Sequence, residues 1–100
     1  MNKNQIQKAV IQVMQEEPDA NNIKSVSLFG SFLHGNDRSG SDVDLLFEMR
    51  KTMSLFQIGG IQYRLQQKLG RKVDFVPKNS VIHQLRDKII PEAEKYSERK

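Results

Sequence analysis

Residues Asp42–Met49 alternate between apolar and acidic side chains, and this pattern predicts a β-strand with two unlike faces. Side chains alternate between the two faces of a strand, so Val43, Leu45 and Phe47 lie on an apolar face. Asp42 and Asp44 lie on the opposite, acidic face. Two aspartates on one face, two residues apart, lie about 7 Å from each other. Because carboxylates at this distance repel one another unless a positive charge lies between them, the strand points to a cation site.

The spacing of apolar residues in the rest of the chain predicts three helices and two further strands. They are a helix before Pro18, a strand over Lys24–Phe29, a helix over Met53–Leu69, a strand over Lys72–Val76 and a last helix beginning near Asn79. The charged tail Glu92–Lys100 is expected to fray. This order predicts a single domain over residues 1–100 of the α/β (α+β) class, with a short mixed β-sheet flanked by helices.

Two glycines, Gly59 and Gly60, lie inside the predicted helix Met53–Leu69. Each costs about 1 kcal/mol relative to alanine in a helix interior. We therefore expect either close packing against the sheet to compensate this cost or an interruption of the helix. The spacing also predicts that four phenylalanines are core residues: Phe29, Phe47, Phe56 and Phe75.

Composition excludes several classes of protein and decides little else. The chain has 100 residues and no cysteine, so it forms no disulfide framework and no thiolate metal site. It has neither an apolar run of about 18 residues nor the apolar stretch of a signal peptide, and we expect a cytoplasmic protein without a membrane anchor. The net charge of +4 favours anionic partners. The basic residues are not densely clustered, so nothing requires a nucleic-acid partner.

A third acidic residue and a Gly-Ser pair extend the predicted site. Asp74 lies on the predicted strand Lys72–Val76, on the face opposite its apolar neighbours. If that strand lies beside Asp42–Met49, three carboxylates converge, as a two-metal site for phosphoryl or nucleotidyl transfer requires. Gly30 and Ser31 follow a strand, where glycine allows close approach of a phosphate and a helix N-terminus attracts anions. Without these additional residues, a solvated strand face would explain the two first aspartates equally well.

The stretch GSFLHGNDRSGSDVDLL resembles the signature of the nucleotidyltransferase superfamily that shares the DNA polymerase β-like fold. The signature is Gly-Ser, a glycine four residues after the serine, and then Ser-Asp-x-Asp-Leu. In this chain its members are Gly30, Ser31, Gly35, Ser41, Asp42, Asp44 and Leu45. The downstream Arg71–Asp74 is similar to the strand that supplies the third acid. With its ~100 residues, the chain most resembles the minimal nucleotidyltransferase (MNT) group.

The resemblance implies a DNA polymerase β-like nucleotidyltransferase fold and two groups of site residues. They are the catalytic and metal-binding Asp42, Asp44 and Asp74, and the nucleotide-binding Gly30, Ser31 and Ser41. Two Mg²⁺ ions and ATP are expected, with Asp74 assisting deprotonation of the incoming hydroxyl. One position departs from the family pattern, since many relatives carry arginine where this chain has His34. Histidine holds a phosphate only when protonated, so triphosphate affinity is expected to differ.

The MNT group is commonly paired with a helical HEPN-type ribonuclease toxin. The resemblance therefore implies an antitoxin that transfers AMP from ATP to a tyrosine hydroxyl of that partner, with which it forms a hetero-oligomer. Two alternatives stay open. The chain could neutralise its partner by masking it, with weak or no catalysis, or it could transfer a nucleotide to a small molecule. The absence of an additional substrate domain makes the last alternative the weakest.

Overall fold

The computed structural model describes residues 2–30, 42–78 and 94–98, and these form four strands, two α-helices and a short 3-10 helix. In chain order they are α1 (Lys3–Glu16), the 3-10 helix (Pro18–Asn22), β1 (Ile23–Phe29), β2 (Val43–Met49), α2 (Leu55–Leu69), β3 (Val73–Pro77) and β4 (Glu94–Glu98). The strands form one sheet in the order β3-β2-β1-β4. β2 pairs antiparallel with β1 and parallel with β3, so the predicted α+β fold with a short mixed sheet is confirmed. The helix predicted from Asn79 onward lies outside the described residues.

Local sequence signals explain where the two α-helices begin and end. Each begins with a capping box, in which the Asn2 or Ser54 side chain accepts a hydrogen bond from the backbone N–H three residues later. The Ser54 cap starts α2 two residues after the predicted Met53. Gly70 ends α2 in the left-handed conformation at φ +66°, as expected for a glycine at this position.

One hydrophobic core lies between the two helices and one face of the sheet. The apolar alternation of the strands supplies the sheet side, with Leu28, Leu45 and Phe47 fully buried. Phe47 stacks on Phe75 across β2 and β3, with ring centroids 4.2 Å apart. Phe47 and Phe75 are core residues as predicted. The prediction is wrong for Phe29, which is half-buried outside the core cluster, and for Phe56, whose side chain is 94% exposed.

The predicted fraying of the tail is wrong for Glu94–Glu98. These residues form β4, which pairs antiparallel with the outer edge of β1 and extends the sheet. Tyr96 is partly buried and packs against the core. Pairing with an open strand edge and burial of one aromatic ring outweigh the high local charge, and neither is visible in the tail sequence alone.

Both expectations for the glycine pair in α2 are wrong. The helix runs without interruption from Leu55 to Leu69. Gly59 and Gly60 are exposed, and among the described residues no atom lies within 4 Å of a Cβ built on either one.

No described helix is long and apolar enough to cross a membrane.

Candidate active site

Asp44 and Asp74 lie side by side on neighbouring parallel strands. The register of β2 and β3 pairs Asp44 directly with Asp74, and both side chains are half-buried. Their strand neighbours Val43, Leu45 and Val73 are fully buried in the core. Because side chains alternate along a strand, the two carboxylates lie on the sheet face opposite α1 and α2. The condition under which Asp74 was expected to approach the acidic face of β2, namely that its strand lies beside β2, is therefore met.

The proximity of these carboxylates changes the acidity of Asp44. Burial, a hydrogen bond to Asp74 and repulsion from Asp74 and Asp42 raise the pKa of Asp44 from 3.8 to about 6. A pair of carboxylates in this situation retains a proton well above the usual pH range of aspartate. A divalent cation bound between the two carboxylates would replace that proton, because its positive charge removes the repulsion between them.

Gly30 packs directly against Asp44. It follows β1 with φ +80°, a conformation that side-chain-bearing residues rarely adopt. A Cβ built at this position would overlap Asp44 Oδ2 and lie 3.0 Å from Asp44 Cγ. Phe29, the preceding residue, pairs with Asp44 across the antiparallel β1–β2 ladder. Position 30 therefore requires glycine for two structural reasons, the backbone turn and the space beside the Asp44 carboxylate. Both are additional to the predicted contact with a phosphate.

Asp42 immediately precedes β2 and lies beside a lysine. Its side chain is 40% exposed, and its Oδ2 lies 3.8 Å from Lys72 Nζ. The backbone N–H of Val43 donates to the Lys72 carbonyl at 2.9 Å, which ties this end of β2 to the start of β3. Within residues 2–30, 42–78 and 94–98 no three acidic, histidine or cysteine side chains form a preformed metal-ligand group. Asp42 influences Asp44 electrostatically but is oriented towards Lys72.

Two glutamines of α2, which the sequence analysis did not single out, hold β3 in place. Gln62 Nε2 donates to the Val73 carbonyl at 2.7 Å, and the Val73 N–H donates to Gln66 Oε1 at 3.2 Å. These bonds satisfy the backbone of Val73 at the outer edge of β3, next to Asp74. The only sequence signal is their spacing of four residues, which places both on one side of the helix. That signal does not show which strand they reach.

The other predicted site residues lie outside the described part of the chain. They are Ser31, Ser41 and His34. A cavity of about 670 Å³ opens between α1 and the end of α2 and is lined by Gln5, Lys8, Ala9, Gln12, Lys68, Leu69 and Arg71. None of the three aspartates lines this cavity, and it is not where the acidic chemistry lies.

The donor set fits a hard divalent cation. Carboxylate oxygens are the ligands that Mg²⁺ prefers, and Asp44 and Asp74 present them from adjacent strands at a site where negative charge is crowded. Asp42 is two residues before Asp44 and contributes to its raised pKa, so it is the candidate for a third oxygen donor once its side chain turns away from Lys72.

Comparison with known proteins identifies the family. The family model described as nucleotidyltransferase domain matches residues 8–97. The chain belongs to the nucleotidyltransferase domain family. This assignment confirms the resemblance found from Gly30–Leu46 and the predicted class of enzyme. The assignment of roles to the individual aspartates stays a prediction.

Relatives and solved structures agree with this family. A Methanocaldococcus jannaschii protein with the provisional name protein adenylyltransferase is 32% identical over 93 residues, covering 93% of this chain and 96% of that protein. A chain in the crystal structure of a toxin–antitoxin with AMP-PNP shares the fold at TM-score 0.75 and 19% identity, covering 94% of this chain and 74% of that one. A complex of tri-AMPylated Shewanella oneidensis HEPN toxin with MNT antitoxin gives TM-score 0.69 at 16% identity, covering 94% of this chain and 71% of that one.

Proposed function

We propose that this nucleotidyltransferase transfers AMP from ATP to a tyrosine hydroxyl of a HEPN-type toxin and thereby acts as an antitoxin that requires Mg²⁺. The observation that carries the proposal is the direct pairing of Asp44 with Asp74 beside Gly30. The name of the M. jannaschii relative and the AMPylated HEPN toxin in the S. oneidensis complex support the choice of donor and acceptor. The complex of a similar protein with AMP-PNP supports an adenine nucleotide as the donor.

Each residue of the site has a distinct role in this reaction. Asp44 and Asp74, with Asp42 after rotation, would hold Mg²⁺, and the bound ion would neutralise phosphate charge and favour ionisation of the acceptor hydroxyl. Gly30 leaves room for a phosphate beside Asp44 because it has no side chain. The hydroxyl oxygen bonds to the α-phosphorus while the bond to the β-phosphate oxygen breaks. Asp74 accepts the hydroxyl proton, and pyrophosphate leaves with the bonding electrons.

The test is the intact mass of the HEPN-type product of the neighbouring gene after incubation with this protein, ATP and Mg²⁺. The proposal predicts increments of whole AMP units, and their loss in EDTA or with Asp44→Asn or Asp74→Asn. Glu48→Gln is the matched control, because Glu48 lies on the same face of β2 but pairs with Lys78 and Lys24. Unchanged AMP transfer by Asp44→Asn would refute the proposal.

The same experiment separates catalysis from masking. Masking depends on the surface that contacts the toxin, so it should survive Asp44→Asn, whereas AMP transfer should not. If wild-type protein inhibits the toxin in a stable complex without any mass increment, the masking alternative replaces the enzymatic one. Mass spectrometry of proteolytic fragments then identifies whether the modified side chain is a tyrosine.

A further inference from the structure

The side of α2 that points away from the core carries two exposed aromatic rings on either side of the glycine pair. We call this side the outer face of α2; its residues are Phe56, Gly59, Gly60, Tyr63 and Gln67. At about 100° per residue these positions fall within a narrow arc of the helix, opposite the buried Ile61 and Leu65. Phe56 is 94% exposed and Tyr63 58% exposed. Large apolar side chains clustered at such exposure indicate a contact surface.

The glycine pair is not explained by packing within the described chain. Glycine weakens a helix interior relative to alanine, and here two consecutive glycines occupy the middle of a continuous helix. Within residues 2–30, 42–78 and 94–98 no atom approaches within 4 Å of a Cβ at Gly59 or Gly60. Neither position has a positive φ that would require glycine. What glycine does provide is a bare stretch of helix backbone, onto which a second helix can pack closely.

The sequence of the outer face indicates which helix would pack there. Residues 56–63 read Phe-Gln-Ile-Gly-Gly-Ile-Gln-Tyr, which is a palindrome except that phenylalanine is exchanged for tyrosine. Its centre lies between Gly59 and Gly60. A two-fold axis through that point places a second α2 antiparallel to the first, with Phe56 of one copy against Tyr63 of the other, twice. Such self-complementarity is what an isologous interface requires.

Charge favours the same occupant. The five residues of the outer face carry no charge at neutral pH, although the chain as a whole has a net charge of +4. The basic residues Arg64 and Lys68 lie towards α1, where both pair with Glu16. Two copies that meet through the outer face therefore bring no like charges into direct contact. The aromatic rings of one copy contact the aromatic rings or the helix backbone of the other.

We propose that the outer face of α2 is an interface between two copies of this chain, with the two α2 helices antiparallel about a two-fold axis at Gly59–Gly60. This proposal does not depend on the proposed function. α2 has 15 residues, but an axis between Gly59 and Gly60 sets only residues 55–64 of the two helices against each other. The helix–helix contact therefore spans about 15 Å. A contact of this length lies at the small end of specific interfaces, and the dimer should be reversible, with a dissociation constant on the order of micromolar.

Cysteine cross-linking tests the geometry directly, because the chain has no native cysteine. The double variant Phe56→Cys with Tyr63→Cys should form disulfide-linked dimers under mild oxidation, and each single variant should form far fewer. Within one copy the two positions are seven residues apart, about 10 Å along the helix, which is too far for an internal disulfide. Equal linking by the single variants would indicate parallel helices and overturn the antiparallel two-fold arrangement.

Sedimentation equilibrium of the full chain tests the affinity and the role of the glycines. With concentration, the apparent mass should rise from 11.6 kDa towards twice that value. Phe56→Ala should raise the dissociation constant roughly tenfold or more. Ile11→Ala is the control, since Ile11 is an exposed apolar residue of α1 at 38% exposure. It should leave the dissociation constant unchanged.

The double variant Gly59→Ala with Gly60→Ala separates a role in association from a role in folding. Alanine should raise the midpoint of thermal unfolding by roughly 5 °C or more, because it favours the helix. The same methyl groups should weaken dimerisation by roughly tenfold, because they push the second helix away. A dimer as tight as that of the wild type would overturn the close approach at the glycines. A wild-type chain that remains monomeric at roughly one hundred micromolar would overturn the interface itself.

Discussion

The pairing of Asp44 with Asp74 predicts that Asp44→Asn stabilises the protein when no divalent cation is bound. In the cation-free protein burial disfavours the charged form of Asp44, and Asp74 and Asp42 repel it as well. Asparagine has nearly the same shape as aspartate but no charge, and its amide can donate a hydrogen bond to Asp74. We therefore expect a variant that is inactive and yet more resistant to unfolding than the wild type.

The size and pH dependence of this effect follow from the pKa of Asp44. A rise from 3.8 to about 6 corresponds to about 3 kcal/mol for a fully buried group, at 1.36 kcal/mol per pKa unit. Asp44 is only half-buried, so solvent screening reduces the expected value to about 1–2 kcal/mol. Since the pKa is raised in the folded state, the native protein binds more protons than the unfolded one between pH 3.8 and about 6. Its stability therefore falls as pH rises through that window.

Urea unfolding followed by circular dichroism in EDTA measures this difference. Asp44→Asn should exceed the wild type by about 1–2 kcal/mol near neutral pH, and the two should converge at about pH 4. Glu48→Gln is the control on the same face of β2. Burial opposes the shift, but Lys78 and Lys24 lower the pKa of Glu48. That variant should therefore lose a few tenths of a kcal/mol at neutral pH, and this loss should fade as pH falls through the pKa of Glu48.

A cycle of single and double variants isolates the repulsion itself. Asp44→Asn should stabilise the protein more than Asp74→Asn, because it removes a half-buried charge as well as the repulsion. The double variant should gain little beyond Asp44→Asn, because the repulsion is already gone. Mg²⁺ at ten times its dissociation constant should stabilise the wild type by about 1.4 kcal/mol and leave Asp44→Asn unaffected. If Asp44→Asn is no more stable than the wild type in EDTA, or differs from it equally at all pH values, the folded protein does not disfavour the charged form of Asp44 and the prediction is wrong.

Three further predictions concern the elements around the site. Gly30→Ala should lower the free energy of unfolding by about 2 kcal/mol or more and abolish AMP transfer, because the added Cβ overlaps Asp44. The control Gly70→Ala is also at positive φ but has open space around it, so it should cost about 1 kcal/mol and keep activity. Gln62→Ala should lower kcat several-fold by loosening β3, and the conservative Gln62→Asn should not restore it, because the shorter amide cannot reach the Val73 carbonyl. Tyr96→Ala should cost about 1–3 kcal/mol in urea unfolding, since its ring packs on the core beneath β4.

The alternation of apolar residues was sufficient to predict most of the central sheet. Val43, Leu45 and Phe47 determine which face of β2 is buried, and this places Asp44 on the other face without further information. The register between β2 and β3 could not be predicted, since it depends on how α2 packs and how Gln62 and Gln66 bind the outer edge of β3. The pairing of Asp44 with Asp74 is therefore a result of tertiary structure.

The incorrect predictions for the tail and for Phe56 have different physical causes. Glu94–Glu98 is a strand because β1 offers an open edge and Tyr96 finds a place on the core, and both are long-range effects that local charge cannot show. Phe56 was predicted to be a core residue from its spacing in the sequence. Its position three residues before Gly59, on the side of α2 opposite Ile61, is the feature that places it in solvent instead.

Two parts of the chain, the Asp44–Asp74 pair and the Gly59–Gly60 pair, are unfavourable for folding taken alone. The first concentrates negative charge and the second weakens a helix, and within the described residues neither is compensated by a neighbouring group. Sequences that depart from local rules in this way commonly do so where something binds. The carboxylates lie on the sheet face opposite α2, and the glycines lie on the side of α2 that points away from the sheet. Dimerisation through α2 would therefore leave both copies of the carboxylate site open to ATP and to an acceptor protein, so the two proposals are compatible in one assembly.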